Sequence, residues 1–329
     1  MTTKDELWAG KGWPVARDQI VLRAGRRPSF PASVRPEVAA SADAVTVACG
    51  GTTAVFSRVT GTLCELKMSG RTILRDPVPG MAAGPRLTCA RALVDNDQWL
   101  RGKFFASGLT QLRHHARPIA VRDGTVVTTV EVTGSKSAGF THEAEWRFAA
   151  DGSVVVSNTV TPHGTMPPAL PRLGLTLRLD DALDRVEYYG RGPRENYVDR
   201  RTGSFLGRYS SSVAGLAEAY VRPQDNGSRC DVRWVEFADR HGRGVRFAAS
   251  EPMFFSALSC DWEDLEFSRH RNGQQRFRAP VPDRRETFLN LDVRQLGLGG
   301  NSCGPRPMDK YVFPIEKTSW ELCISPIGR

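Results

Sequence analysis

Val186-Glu-Tyr-Tyr-Gly-Arg-Gly-Pro-Arg-Glu-Asn-Tyr-Val-Asp-Arg-Arg-Thr-Gly-Ser-Phe-Leu-Gly-Arg-Tyr209 is the stretch on which the reading of this chain turns. A run of strand-type residues ends at Tyr189. Gly190, Gly192 and Pro193 then predict a turn, because glycine admits positive φ and proline cannot donate to a sheet ladder. The turn presents a polar and aromatic set: Arg191, Arg194, Glu195, Asn196, Tyr197, Asp199 and Arg200. Loops carried on a β scaffold are where binding residues concentrate. Taken alone, the same set reads more readily as a solvated hairpin tip held by its own Arg/Asp pairs.

Segments on both sides repeat the pattern of strand and turn. Val45-Thr-Val-Ala-Cys49, Thr53-Ala-Val-Phe-Ser57 and Leu63-Cys-Glu-Leu-Lys67 are short β-branched alternations, punctuated by Gly50-Gly51, Gly61 and Gly70. Gly124 to Thr133 and Gly152 to Thr161 continue it in longer runs. Helical signal is sparse; the best, Leu112 to Arg117, is too short to organise anything. Heptads, internal repeats and low-complexity blocks are not visible. Many strands without alternating helices predict an all-β chain built as a large antiparallel double sheet. Periodicity leaves a jelly roll and a larger stacked-sheet design equally open.

Composition excludes several classes. The 329 residues suffice for one large β domain or two ordinary ones. Hydrophobic residues make up 40% and charged residues 25%, a soluble balance, and no apolar run approaches the roughly 20 residues of a spanning helix. The first residues lack the apolar core of a signal peptide. Seven dispersed cysteines without a Cys-x-x-Cys pair fit reduced thiols, so the cytoplasm is the expected compartment. The net charge of +9 comes from 45 Lys and Arg against 36 Asp and Glu, interleaved rather than massed, which does not make a nucleic-acid surface.

Gly190-Arg-Gly-Pro-Arg-Glu-Asn-Tyr-Val-Asp-Arg200 closely resembles a run in the last domain of the large β-galactosidases of glycoside hydrolase family 2. Four more segments match that domain in the same order. They are Ala92-Leu-Val-Asp-Asn-Asp97, Tyr220-Val-Arg-Pro-Gln-Asp-Asn-Gly-Ser-Arg-Cys230, Phe254-Phe-Ser-Ala-Leu-Ser259, and Leu289-Asn-Leu-Asp-Val-Arg-Gln-Leu-Gly-Leu-Gly-Gly300 followed by Cys303-Gly-Pro. The resemblance implies a β-supersandwich of the galactose-mutarotase-like type over residues 43–329. Residues 1–42 resemble the closing strands of a preceding immunoglobulin-like domain, followed by a Pro-rich linker. Such strands are expected to add to a sheet edge in another polypeptide or to lie against the rest of this chain.

In function, the resemblance implies the small subunit or C-terminal domain of a β-galactosidase, completing the active site of a (β/α)₈-barrel partner. That partner would hydrolyse terminal non-reducing β-D-galactosides of the lactose type with retention. A retaining glycosidase needs two carboxyl groups about 5–5.5 Å apart. In the family both are barrel glutamates, and a barrel of roughly 250 residues is not encoded here. No catalytic residue is therefore assigned to this chain, and it is expected to be inactive alone. The implied cofactors, Mg²⁺ with Na⁺ as a second ion, fall to the barrel partner, and an oligomer is expected.

Two loops are the candidates for touching sugar. Asp95, Asn96 and Asp97 match the family, and their continuation through Trp99 to Gly102 falls where relatives carry a mobile loop; an indole such as Trp99 can stack on a pyranose. Asn301, Ser302 and Cys303 form the second; Cys303 stands where many relatives place a stacking tryptophan, on a loop one residue shorter. Arg191, Arg194, Glu195, Asn196, Tyr197, Asp199 and Arg200, with His270, are read as loop or interface residues. Asp261-Trp-Glu-Asp264 and the Glu195/Asp199 pair read as solvated or ion-paired carboxylates. The six histidines show no metal-ligand spacing. Two other classes stay open: a free-standing carbohydrate-binding domain, and an aldose 1-epimerase, whose Asn-His and Tyr-Phe-Asn runs are not found.

Overall fold

The computed structural model describes residues 1–23, 25, 28–77, 82–268 and 281–328. A first sheet is a five-stranded antiparallel meander of β1 (Glu37–Ala40), β2 (Ala44–Cys49), β3 (Thr52–Ser57), β4 (Leu63–Met68) and β5 (Arg71–Arg75). A second sheet has thirteen strands. Its first members are β6 (Arg86–Thr88), β7 (Arg113–Ala116), β8 (Ala120–Arg122), β9 (Thr125–Thr133), β10 (Gly139–Phe148) and β11 (Val154–His163). The rest are β12 (Arg172–Leu179), β13 (Arg185–Gly192), β14 (Phe205–Ser212), β15 (Arg229–Ala238), β16 (Gly244–Leu258), β17 (Thr287–Gln295) and β18 (Thr318–Ile327). The fold is thus the all-β antiparallel supersandwich expected. The strands read at Val45, Thr53, Leu63, Gly124 and Gly152 appear as β2, β3, β4, β9 and β11.

Strand alternation explains how the sheets stack. In β9, Val126, Thr128, Val130 and Val132 turn inward while the residues between them are half-exposed. Val45, Phe56 and Leu66 of the small sheet meet Trp146, Leu175, Val235 and Phe247 of the large one in a single buried cluster. Phe56 and Trp146 contact edge to face with centroids 5.1 Å apart. Burial of such large side chains, worth about 1.5–3 kcal/mol each, holds the layers together.

The large sheet forks along β16. Gly244 to Ala249 pair with β18, whereas Phe254 to Leu258 pair with β17. One wing continues through β18, β11, β10 and β9; the other through β17 and β12 to β6. A second apolar cluster includes Val130, Phe140 and Val160 of the first wing, and it is sealed by α1 (Gln98–Ala106), whose Leu100 and Phe104 stand one helical turn apart. The remaining helices among the described residues are short: α2 (Val213–Leu216) and α3 (Trp262–Ser268).

Two expectations are corrected. The helical signal at Leu112 to Arg117 is strand β7, with His114 opposite Val132 of β9, because the open edge of β9 supplies ladder partners that a one-turn helix cannot match. The stretch expected as a mobile loop, Asp95 to Gly102, is a 3₁₀ turn at Asp95–Asp97 running into α1. Gly102 lies inside that helix.

Residues before β1 contain no strand among those described. The Gln19 amide bonds both backbone groups of Leu206, donating to its O at 2.9 Å and accepting from its N at 2.8 Å. β14 is the last strand of the large sheet, so its outer edge carries unpaired backbone groups that a primary amide can satisfy. Leu7, Trp8, Ile20 and Leu22 remain exposed. β1 starts at Glu37, before position 43, and pairs with β2 beyond it.

Candidate functional site

β13 runs on to Gly192, three residues past the predicted end. A Cβ on Gly192 would lie 2.3 Å from the Tyr188 hydroxyl and 2.7 Å from the Tyr209 ring. Glycine is needed there for close approach and not for a positive φ, which the residue does not have. The following loop folds inward. Asn196 is buried, accepts from Cys230 N at 2.9 Å and donates to the carbonyls of Arg191 and Arg194 at 3.1 and 3.0 Å. Tyr197 is also buried and donates its hydroxyl to Asp225 Oδ2 at 3.0 Å.

The structure brings the two candidate sugar loops together, and this loop holds them. Asp199 accepts from Leu298 N at 3.0 Å and from Gly299 N at 2.8 Å, while Arg200 donates to Gly299 O at 2.5 Å. Asn96 donates to the same carbonyl at 3.0 Å and accepts from Ser302 N at 3.1 Å. Gly299, at φ +65°, takes a conformation that suits glycine and aims the loop toward Asn96. Asn301 closes the tip by donating to Gly304 O at 3.0 Å. Ser302 and Cys303 are exposed beside it.

Beneath the loops lies a buried ionic network. Arg91 donates to both oxygens of Asp97 at 3.0 and 3.2 Å, and both side chains are fully buried. Asp97 also accepts from Val94 N at 2.9 Å. Arg172 donates to Asp225 at 2.8 Å and stands 3.6 Å from Asp292. Burial pushes the Asp292 carboxyl up to about 6, against the opposing pull of Arg172. Burial raises the Asp97 carboxyl too, with Arg91 opposing.

The three segments border a cleft of about 200 Å³ lined by Asp95, Asn96, Glu195, Tyr197, Arg200 and Leu298, with Tyr220 and Asp225 behind. Its carboxylates are all engaged: Asp95 with Arg222 at 2.6 Å, Glu195 with the Tyr220 hydroxyl and with Gly227 N at 2.8 Å, Asp225 with Arg172 and Tyr197. Burial lifts Glu195 above its ordinary value, with the Tyr220 bond opposing. Beside this cleft a larger one, about 1190 Å³, lies between Trp13, Arg17 and Gln19 and the face of Arg194, Phe205 and Tyr209. Arg191 points away, bound to Asp231 and to Ser204 O.

Two candidates move from the surface to the framework. Asp97 is the buried partner of Arg91, not a sugar contact on a loop. Trp99 packs half-buried on the second core, with the Arg306 guanidinium 5.7 Å from its ring centroid. His270 lies outside the described residues. Asp261 directly precedes α3 and accepts from Trp262 N at 2.6 Å through its Oδ1. Sequence reasoning missed Arg91, Arg172, Asp225 and Asp292. Asp225 and Asp292 lie within matched segments and Arg91 directly precedes one, so burial rather than position hid them.

The β-galactosidase small-chain model matches residues 48–324. The chain belongs to this family. Similar curated proteins are the β-galactosidase of Priestia megaterium, 28% identical over 307 residues, and that of Vibrio cholerae, 27% identical over 316 residues. Each alignment covers 91% of this chain, but only 28% and 29% of the relative. This small-chain domain therefore spans less than a third of the relatives it matches. Among solved structures, an aldose epimerase homologue from C. elegans aligns at a TM-score of 0.48 and 12% identity, over 84% of this chain and 96% of its own. Galactose 1-epimerase from Lactobacillus acidophilus aligns at 0.48 and 10%, over 87% and 95%.

Proposed function

We propose that this small-chain domain completes the active site of a β-galactosidase whose barrel lies on another polypeptide or on another part of the same one. The substrate is a terminal non-reducing β-D-galactoside of the lactose type, hydrolysed with retention. What carries this reading is the family match over residues 48–324 set against relatives more than three times as long.

The division of labour follows from the geometry. Every carboxylate lining the small cleft is bound by an arginine, a tyrosine or a backbone amide, so this chain offers framework there rather than an acid and nucleophile pair. Its contribution is a braced rim: Asn96, Asn301, Ser302 and Cys303 held at one level by Asp199 and Arg200. Asp95 and Arg222 form the neighbouring edge. Among the described residues no three His, Cys, Asp or Glu side chains converge to hold a metal ion. In this reading Mg²⁺ and Na⁺ belong to the barrel partner, and the complex is an oligomer. No helix among the described residues is long and apolar enough to cross a membrane. All seven cysteines are free thiols, which supports a reducing, cytoplasmic setting.

The test is hydrolysis of a chromogenic β-galactoside by the pure chain, by a barrel-bearing polypeptide, and by their mixture. Activity is expected only in the mixture. Turnover by the chain alone, after preparation from a host without β-galactosidase, would overturn the reading, as would equilibration of sugar anomers. Within the active mixture, Cys303→Trp restores an indole at the exposed loop tip. It should tighten the aglycone sugar by about 1 kcal/mol, several-fold in affinity, and leave galactosyl transfer nearly unchanged. An unchanged glucose dissociation constant removes Cys303 from the sugar site.

A further inference from the structure

At the other end of the β12–β17 pair lies a cleft of about 620 Å³, within the range of small-molecule sites, that the function proposed above does not use. It is about 23 Å from the loop cluster, counted as seven residues of strand rise from Phe288 to Gln295. Leu175, Leu177 and Leu289 are in the core, so alternation turns Thr176, Arg178 and Phe288 to the opposite face, into the cleft. Asp261 and Glu263 of the α3 end form the facing wall. A narrower extension of about 110 Å³ continues past Arg86, Thr176, Asp261 and Glu263 to Trp262 and His114.

The polar groups here are arranged unlike those of the loop cluster. Arg86 donates to His114 Nδ1 at 2.7 Å, and the other ring nitrogen faces Leu87 O at 3.3 Å. Burial, and then the charge of Arg86, lower the His114 imidazole to about 4, so it is neutral at pH 7 and acts as an acceptor that fixes the guanidinium. Arg86 makes no salt bridge among the described residues, nor do Asp261 and Glu263. Burial lifts both of these carboxyls above their ordinary values, with like charge from Asp264 adding to the effect at each and Asp261 also raising Glu263. Arg178 is held by Glu286 at 3.3 Å and lies 5.9 Å over the Phe288 ring. Arg284 pairs with Asp264.

We propose that this cleft is a second saccharide-binding site, taking a neutral mono- or disaccharide against the Phe288 and Arg178 wall, with hydroxyls bridging Arg86, Thr176, Asp261 and Glu263. The charges decide the class. Three guanidiniums and four carboxylates nearly cancel, so the cleft favours neither an anion nor a cation strongly. Fixed donors on one side and fixed acceptors on the other suit a hydroxyl, which accepts and donates at once. Charge-assisted bonds of this kind supply orientation, while Phe288, buried with the Arg178 guanidinium over its ring, adds apolar contact only at its margin.

The experiment is an amide NMR titration of the full chain with lactose, with D-galactose and glycerol as separate arms. Expected is saturable movement of the Thr176, Arg178, Phe288 and Trp262 amides with a dissociation constant of about 1 mM. Glu263→Gln and Thr176→Val, with thermal unfolding checked against the parent, should each weaken binding about tenfold. Asn96→Ala in the loop cluster should leave it unchanged, which separates this site from the rim proposed above. No saturable movement at roughly a hundred times that concentration overturns the proposal. So does movement confined to the loop cluster, equal affinity in the folded Glu263→Gln and Thr176→Val variants, or an identical response to glycerol.

Discussion

The two ends of the β12–β17 pair spend their polar residues in opposite ways. At the loop end, Asp97, Asp199, Asp225, Asn96 and Arg91 are bound to one another or to side-chain or backbone groups of a different segment. At the cleft end, Thr176, Arg178 and Phe288 are set in place by the ladder itself, each register pair fixed by backbone bonds. A loop has no ladder, so its geometry must be made from side chains, and those side chains are then unavailable to a ligand. Strand-borne residues escape that cost, because the sheet positions them. The matched family motif therefore reads as framework, whereas at the cleft end the ladder places Thr176 and Phe288, with Arg178 also held by Glu286.

The largest effect that would break this contrast is expected at Asp97. Asp97→Ala leaves Arg91 buried and unpaired, a change that costs about 3–5 kcal/mol. Urea unfolding measures it, with Glu263→Gln as the cleft-end comparison, expected within about 0.5 kcal/mol of the parent. A loss below about 1 kcal/mol at Asp97 would mean that the ionic network does not hold the loop end.

Next is a pH effect at the cleft end. His114 is held near 4 in the folded chain against about 6.5 unfolded. Below pH 6.5 the unfolded chain gains a proton that the folded chain refuses, so stability from the neutral ring is complete above that pH and lost as pH falls toward 4. The loss amounts to roughly 3 kcal/mol. The difference in unfolding free energy between the parent and His114→Gln should therefore shrink across that window and stay flat above it. A difference independent of pH would show that the imidazole is not buried neutral beside Arg86.

The smallest of the three sharpens the loop end. Asp199→Ala removes the acceptor of two backbone amides, and local opening at Leu298 and Gly299 should become easier by about 2 kcal/mol. Hydrogen exchange at those two amides should rise roughly 30-fold, while the amides of β17 keep their protection. Uniform acceleration through β17 would mean that the loop and strand open as one unit.

Much of the fold was legible because strand signals are local. The alternation of Val126, Val130 and Val132, or of Val45 and Val47, depends on a period of two that any extended chain must obey. The family resemblance singled out the Asp95, Arg194 and Asn301 regions, and the structure joins them at one place. Legibility failed where burial decided a role. Asp97 and Asp95 are alike in sequence context, yet one is sealed against Arg91 and the other meets Arg222 at the surface. Leu112 to Arg117 lacks any strand signal strong enough to outweigh a helical one, and β9 decided it.

By itself, then, the amino-acid sequence determined the all-β class, the family and the position of a minority of the strands, β2, β3, β4, β9, β11 and the start of β13. Only the tertiary structure decided which polar residues are cement and which stay available. Solvation is the physical reason: a carboxylate in water and a carboxylate beneath a loop differ by several kcal/mol according to its partner. That partner is chosen by residues 100 or 200 positions away, as with Asp199 and Gly299 or Arg91 and Leu296.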